Sequence, residues 1–192
     1  MGESGVEVYI EKCRNNTSIP VYAREGDAGM DVCAAVDMEL RPGQTRIIPT
    51  GLKMAIPQGY EIQVRPRSGL SYKTNLRIAN SPGTIDSGYR DEIGVIMSNI
   101  GMNCEENNLE YTIDVSGNSE KLKLRRELPV YELSHPRLEE SVNKPCVYRI
   151  RAGDRIAQIV LLQTPMIKFV LVDSVSGVGK DRGGGFGSSG VK

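Results

Sequence analysis

Apolar residues recur along this chain with a period of two, in short runs closed by glycine, proline, asparagine or aspartate. Val6–Ile10, Thr45–Ile48, Leu52–Ala55, Tyr60–Val64, Leu76–Ala79, Ile93–Asn99, Val147–Ile150, Arg155–Leu162 and Ile167–Val172 all have this form. Alternation sends successive side chains to opposite faces, so each run can bury one face and wet the other. Arg41-Pro42-Gly43-Gln44, Pro57-Gln58-Gly59 and Ser81-Pro82-Gly83 supply turn chemistry between them. Short strands at this spacing predict an all-β barrel, sandwich or jelly roll. The exception is Ser68–Thr74, where Ser68 is placed to N-cap one short helix.

Residues 102–146 break the pattern. They are polar, with nine Asp/Glu against six Lys/Arg, and carry only weak hairpin alternation at Leu109–Val115 and Lys121–Leu124. This reads as an insertion between strands of one β domain spanning 1–175, not as a second domain. Two roles are open for it: a surface hairpin, which loop-closure entropy tolerates well, or a docking surface for a partner protein. Residues 176–192 end in Arg182-Gly183-Gly184-Gly185-Phe186-Gly187-Ser188-Ser189-Gly190. Glycine loses the most backbone entropy on ordering and brings no side chain to bury, so this tail cannot make a core. It is either a disordered end or a flap that closes over a ligand, with Arg182 on a phosphate and Phe186 flat on a base.

Composition narrows the chemistry. Lys+Arg and Asp+Glu are both 24 in 192 residues, and the basic residues form no block, which argues against nucleic-acid binding. No apolar run approaches the roughly 18 residues of a membrane span, and the start MGESGVEVYI lacks a signal-peptide core. Cys13, Cys33, Cys104 and Cys146 share no C-x-x-C spacing, and His135 is the one histidine. This argues against a Cys/His zinc site or a Cys–His hydrolase, and free thiols point to the cytoplasm. With one histidine in the chain, a general base is expected to be a carboxylate.

Five clusters carry residues that are costly in ordinary strands and turns. Ala28-Gly29-Met30-Asp31 sets a carboxylate after a turn. Pro66-Arg67-Ser68-Gly69-Leu70 ends a strand and opens a helix, an arrangement suited to phosphate. Gly83-Thr84-Ile85-Asp86-Ser87-Gly88-Tyr89-Arg90 places a carboxylate and a phenol three residues apart. Gly153-Asp154-Arg155-Ile156-Ala157-Gln158 turns into a strand, and the Gly/Phe/Arg tail is the fifth. Taken singly, Asp31 and Asp86 read equally well as turn residues, Arg67 and Arg155 as surface ion pairs, and Tyr89 as core.

In this order, PRSGL, the G-x-I-D-x-x-Y core, GDRIAQ and RGGGFGSSG resemble the signature motifs of the trimeric dUTPase family, from about Val6 to the C-terminus outside the insertion. The resemblance implies a dUTPase-like β jelly roll (β-clip) assembled as a homotrimer, with the tail of one chain closing a neighbouring active site. It implies hydrolysis of dUTP to dUMP and pyrophosphate, which keeps uracil out of DNA and supplies dUMP for dTMP synthesis. Asp86 matches the general base, and Tyr89 the ring beneath the deoxyribose. Asn80, Thr84, Ile85 and Gly94 match the pocket for uracil and the 3′-hydroxyl. Arg67, Ser68 and Gly69 match triphosphate contacts, and Gln158 the residue near the α-phosphate and attacking water. Arg182, Phe186, Gly187 and Ser188 match the tail's contribution, with Phe186 stacked on the base. Mg²⁺ is implied, held by substrate and water, with Asp31 reaching it only through water. Asp154 and Arg155 are expected as charge pairs between subunits.

Asp91 stands where that family commonly has glycine, and Ser189 where threonine is common. The insertion is the larger departure. Two rival readings remain: a nucleotide-sensing regulator acting through residues 102–146, and an enzyme of the related dCTP deaminase branch.

Overall fold

A computed structural model of the chain describes residues 5–101, 111–113, 119–121, 128–142 and 146–180. The strands are β1 (Tyr9–Lys12), β2 (Met30–Cys33), β3 (Met38–Leu40), β4 (Thr45–Pro49), β5 (Leu52–Ala55) and β6 (Tyr60–Arg65), then helix α1 (Ser68–Lys73), β7 (Leu76–Ile78), β8 (Gly83–Ile85) and β9 (Gly94–Asn99). After these come β10 (Tyr111–Ile113), β11 (Ser119–Lys121), β12 (Val130–Glu132), a 3-10 helix at Leu138–Ser141, β13 (Val147–Ile150) and β14 (Arg155–Gln163). The architecture is the expected all-β jelly-roll barrel with one short helix.

Alternation does the folding. On β6 the apolar Ile62 and Val64 are buried and their neighbours are not; β9 repeats this with Val95 and Met97. These side chains join Leu40, Ile48, Leu52, Leu76, Ile150 and Ile159 in one core. Around it lie the sheets β2-β14-β6-β8, β4-β9-β7, β12-β13-β3 and the pair β1-β5. Among the described residues no helix is long and apolar enough to cross a membrane.

Two expectations change. Ser68 is the first residue of α1 and not its N-cap; Arg67 holds that position in extended conformation, with no side-chain cap. Ile167–Val172 is not a strand. Only Ile167-Lys168-Phe169 alternates, since Phe169–Val172 is four apolar residues in a row; the segment pairs with no described strand, and Phe169 and Leu171 are 89% and 99% exposed. The strands β2, β3, β8 and β12 were not expected, although β5, β7 and β13, which alternation did mark, are equally short.

The insertion is more than a surface hairpin. Its β10–β11 pair is antiparallel, but 128–142 joins the domain. There β12 pairs in parallel with β13, and Glu132 accepts from Arg151 at 2.8 Å. Leu138 and Ser141 are buried against the core. Exposed ion pairs contribute about 0–1 kcal/mol each, whereas a buried leucine contributes about 1.5–3 kcal/mol, so Leu138 is the stronger hold.

Glu92 anchors the loop that leads into β9. Arg14 donates to its carboxylate through Nε and Nη2 at 2.6 and 2.7 Å, and the Gly51 N–H adds a bond of 2.8 Å. The Arg14 hydrogen bonds above all hold the Glu92 carboxyl below its ordinary range, against its partial burial. A carboxyl with a lower pKa folded than unfolded binds fewer protons when folded. Its contribution is complete above the ordinary glutamate value of about 4.3 and fades as pH falls through the lower folded value. The melting temperature of wild type should therefore fall more steeply than that of Glu92→Gln as pH drops from about 5 to 3. Parallel curves would show that Glu92 is not a source of the acid sensitivity.

Candidate active site

The β2-β14-β6 sheet brings three distant segments together at one end. Gln158 is the hub: its Cα pairs with Asp31 on one side and Arg65 on the other. Pro66 ends β6 by removing a ladder donor, and the Gln158 amide Nε2 donates to the Pro66 carbonyl at 2.9 Å. Gly29 lets the chain pass close to Gln158, since a Cβ would come within 2.8 Å of Gln158 Oε1 and 3.3 Å of Val160 Cγ2 and the glutamine side chain would have to shift.

Arg67 grips Asp31 with both prongs, Nε to Oδ1 at 2.7 Å and Nη2 to Oδ2 at 3.1 Å. Arg155 Nη1 reaches the same Oδ2 at 3.3 Å. A guanidinium has five N–H groups. These two bonds and a weak one to the Arg155 carbonyl at 3.4 Å use three of them, leaving two for an anion. Ser68 and Gly69 are exposed beside them. Arg67, Gly69, Lys73 and Arg155 border a cavity of about 380 Å³, whose opposite wall is Leu133, Ser134 and Leu138 of the insertion.

Arg155, expected between subunits, pairs with Asp31 within its own chain. Strand alternation puts residues an odd number apart on opposite faces, which separates Arg155 from Gln158. A β-bulge between Arg155 and Ala157 shifts the register and returns Arg155 to the Asp31 side. That bulge has no mark in the sequence beyond the turn before it, and Lys73 and the Leu133–Leu138 wall had no signal at all. Asp154 makes no ion pair among the described residues; its carboxylate closes the turn by accepting the Arg151 N–H at 2.8 Å.

The second cluster sits at the other end of β6. There β8 pairs antiparallel with it, Ile85 opposite Ile62, and the chain turns out at Asp86. The Tyr89 N–H donates to the Asp86 carbonyl at 3.0 Å, and the Tyr89 hydroxyl donates to the Glu92 carbonyl at 2.9 Å, which fixes the ring. The Asp86 side chain is exposed, has no hydrogen-bonding or ion-pair partner among the described residues, and borders a concavity of about 720 Å³ with Tyr60, Glu61 and Met166. Asn80 and Thr84 are exposed on the hairpin, with Asn80 Nδ2 only 3.1 Å from where a Cβ on Gly83 would lie. Gly94 has a close neighbour too: a Cβ there would meet Ile47 Cγ2 at 2.4 Å.

Asp31, Arg67, Ser68, Gly69 and Gln158 thus form one group, and Asp86 and Tyr89 lie beyond the far end of β8, with Thr84 and Ile85 opposite Gln63 and Ile62 and Asn80 before the Gly83 end of that strand. From the register, Asp86 lies level with Glu61 and Arg67 six residues further on, about 20 Å apart at 3.3 Å per residue. Arg182, Phe186, Gly187 and Ser188 lie outside the described residues. His135 belongs to neither group: its ring packs edge-on against Tyr131 at 5.3 Å, and its Nδ1 accepts the Arg137 N–H. A third cavity, about 250 Å³ beneath β1, is lined mainly by apolar side chains such as Val8, Met54 and Ile62, with Tyr22 at its wall.

The dUTPase family model matches residues 15–104. A deoxyuridine 5′-triphosphate nucleotidohydrolase of Streptomyces coelicolor is 35% identical over 190 residues, covering 99% of this chain and 80% of that protein. In three dimensions the chain is similar to a variant of Staphylococcus bacteriophage 80alpha dUTPase with dUpNHpp, at TM-score 0.71 and 28% identity over 96% of this chain and 99% of the other. A variant of the phage phi11 dUTPase of S. aureus, which coordinates a structural Mg(II) ion, shares the fold at TM-score 0.65 and 24% identity, over 88% and 97% of the two chains. Identity to the Streptomyces protein along nearly the whole chain, with the two clusters built on the family's motifs, shows that this chain belongs to the dUTPase family.

Proposed function

We propose that the protein hydrolyses dUTP to dUMP and pyrophosphate in sites completed between the subunits of a homotrimer. The observation that carries this reading is the separation of the two clusters to opposite ends of β6. A carboxylate about 20 Å from the phosphate-suited turn cannot act on a phosphate held there. Each cluster is half a site, and a neighbouring copy supplies the other half. The exposed Ile167–Val172 arm supports assembly, because a run this apolar left in water is a surface for another chain.

In such a site Asp86 takes a proton from a water whose oxygen bonds to the α-phosphorus. The bond from that phosphorus to the bridging oxygen of the β-phosphate breaks, and pyrophosphate leaves. Asp86 suits the task because no group among the described residues occupies its carboxylate. Tyr89, pinned through its hydroxyl, offers a fixed ring face to a deoxyribose. A ribose 2′-hydroxyl buried there without a partner costs about 1–3 kcal/mol. Arg67, Ser68 and Gly69 take the phosphates, and Gln158 holds the turn that presents them. Phe186 of the tail stacks on the base, worth about 1–3 kcal/mol.

Among the described residues no group of three or more His, Cys, Asp or Glu side chains could hold a metal alone. The donor set fits Mg²⁺, which keeps several waters and takes phosphate oxygens as ligands. Asp31, the carboxylate at the phosphate end, would meet it through water. Bound there, the ion offsets the negative charge of the triphosphate. The free thiols Cys13, Cys33 and Cys146 support the cytoplasm as the location.

The test is pyrophosphate release from dUTP, with UTP, dCTP and dTTP in parallel and Mg²⁺ present. Fast release from dUTP alone is expected. Ammonia from dCTP would indicate the deaminase branch. No release from any of the four would favour a nucleotide-sensing regulator acting through residues 102–146.

A further inference from the structure

Helix α1 ends in a buried hydrogen-bond chain that runs into the insertion. The Thr74 hydroxyl donates to the Leu70 carbonyl at 2.7 Å and closes the last turn. The next N–H, of Asn75, donates to the Tyr148 hydroxyl at 3.0 Å. Tyr148 Oη lies 2.8 Å from Ser141 Oγ, which lies 2.6 Å from the Leu138 carbonyl. A serine hydroxyl has one hydrogen and a carbonyl can only accept. Ser141 therefore donates to Leu138, and Tyr148 must donate to Ser141. The order runs one way: Asn75 N–H, Tyr148 O–H, Ser141 O–H, Leu138 carbonyl. Asn75 Nδ2 adds a parallel link to the Ser141 carbonyl at 3.3 Å. Both Ser141 and Tyr148 are fully buried, so no water can replace a lost partner.

From this geometry we propose that residues 128–142 position the phosphate turn, with Ser141 and Tyr148 as the positioning residues. The segment holds the C-terminal end of α1 through the chain above, and Leu138 and Leu133 wall the cavity that Arg67 and Gly69 enter. A helix of six residues moves as one piece, so a shift at Thr74 reappears at Ser68, about 9 Å away. The inference rests on the reading of Arg67, Ser68 and Gly69 as triphosphate contacts. Neither Ser141 nor Tyr148 touches substrate; both act through α1.

The experiment measures binding of the α,β-imido analogue of dUTP, and of dUMP, to full-length wild type, Ser141→Ala and Tyr148→Phe. Sub-ångström displacement of the turn should weaken the triphosphate analogue about tenfold in Tyr148→Phe and about threefold in Ser141→Ala. dUMP lacks the β- and γ-phosphates, so its affinity should change less than twofold. Equal weakening of both ligands would overturn the proposal. So would a variant with lowered melting temperature and unchanged binding of both, since the network would then serve stability alone. Ser141→Ala decides the matter if Tyr148→Phe does not fold. Wild type that binds dUMP but not the imido analogue would instead sink the phosphate reading itself, and this inference with it.

Discussion

Asp86→Asn is expected to lower dUTP turnover by about 10²–10⁴-fold, the usual contribution of a positioned general base. At 1.36 kcal/mol per decade this is about 3–5 kcal/mol of barrier. Binding should survive. The hairpin is held by the β8–β6 ladder, the Tyr89 N–H to Asp86 carbonyl bond and the Tyr89 hydroxyl on Glu92, none of which uses the Asp86 carboxylate. An amide keeps the shape and loses the basicity. Steady-state turnover beside equilibrium binding of dUTP to the variant separates the two effects. Full turnover would remove Asp86 as the base, and loss of binding would make it a substrate contact.

Truncation after Val175 should lower turnover about 10²-fold, as expected when a group that positions substrate and excludes water is lost. Its melting temperature should stay within a few degrees of wild type, because residues 176–180 are exposed and, among the described residues, the last buried core side chain is Ile159 on β14. Parallel loss of stability and activity would mean that the tail is structural. The two variants also test assembly together. In hybrids of Asp86→Asn chains with truncated chains, some sites receive an intact Asp86 from one subunit and an intact tail from another. Partial recovery of turnover is expected, and its absence would place both elements in the same chain's site.

Much of the barrel was legible because its code is local. Leu52–Ala55 and Val147–Ile150 appear as strands with the bounds that alternation predicts, and β6 and β14 each extend one residue further. The Ile167–Val172 run shows the limit of that code. It is apolar enough for a strand, but a strand also needs a partner, and this segment pairs with none of the described strands. The insertion shows a second limit. Its polar composition suggested a surface loop, while the few apolar residues Tyr131, Leu133 and Leu138 were enough to bind 128–142 to the core. A small number of well-placed side chains outweighs average composition.

The sequence by itself determined the β class, the turns, the carboxylate chemistry and the segments PRSGL, G-x-I-D-x-x-Y and GDRIAQ, because each rests on residue type and near spacing. Only the tertiary structure decided how those segments divide. Strand register sends Asp86 and Arg67 to opposite ends of β6. A bulge in β14 turns Arg155 toward Asp31. The Tyr148–Ser141 chain ties the insertion to the back of α1. Pairing partners, bulges and buried hydrogen bonds join residues far apart in the chain, and neither periodicity nor spacing can encode which of them meet.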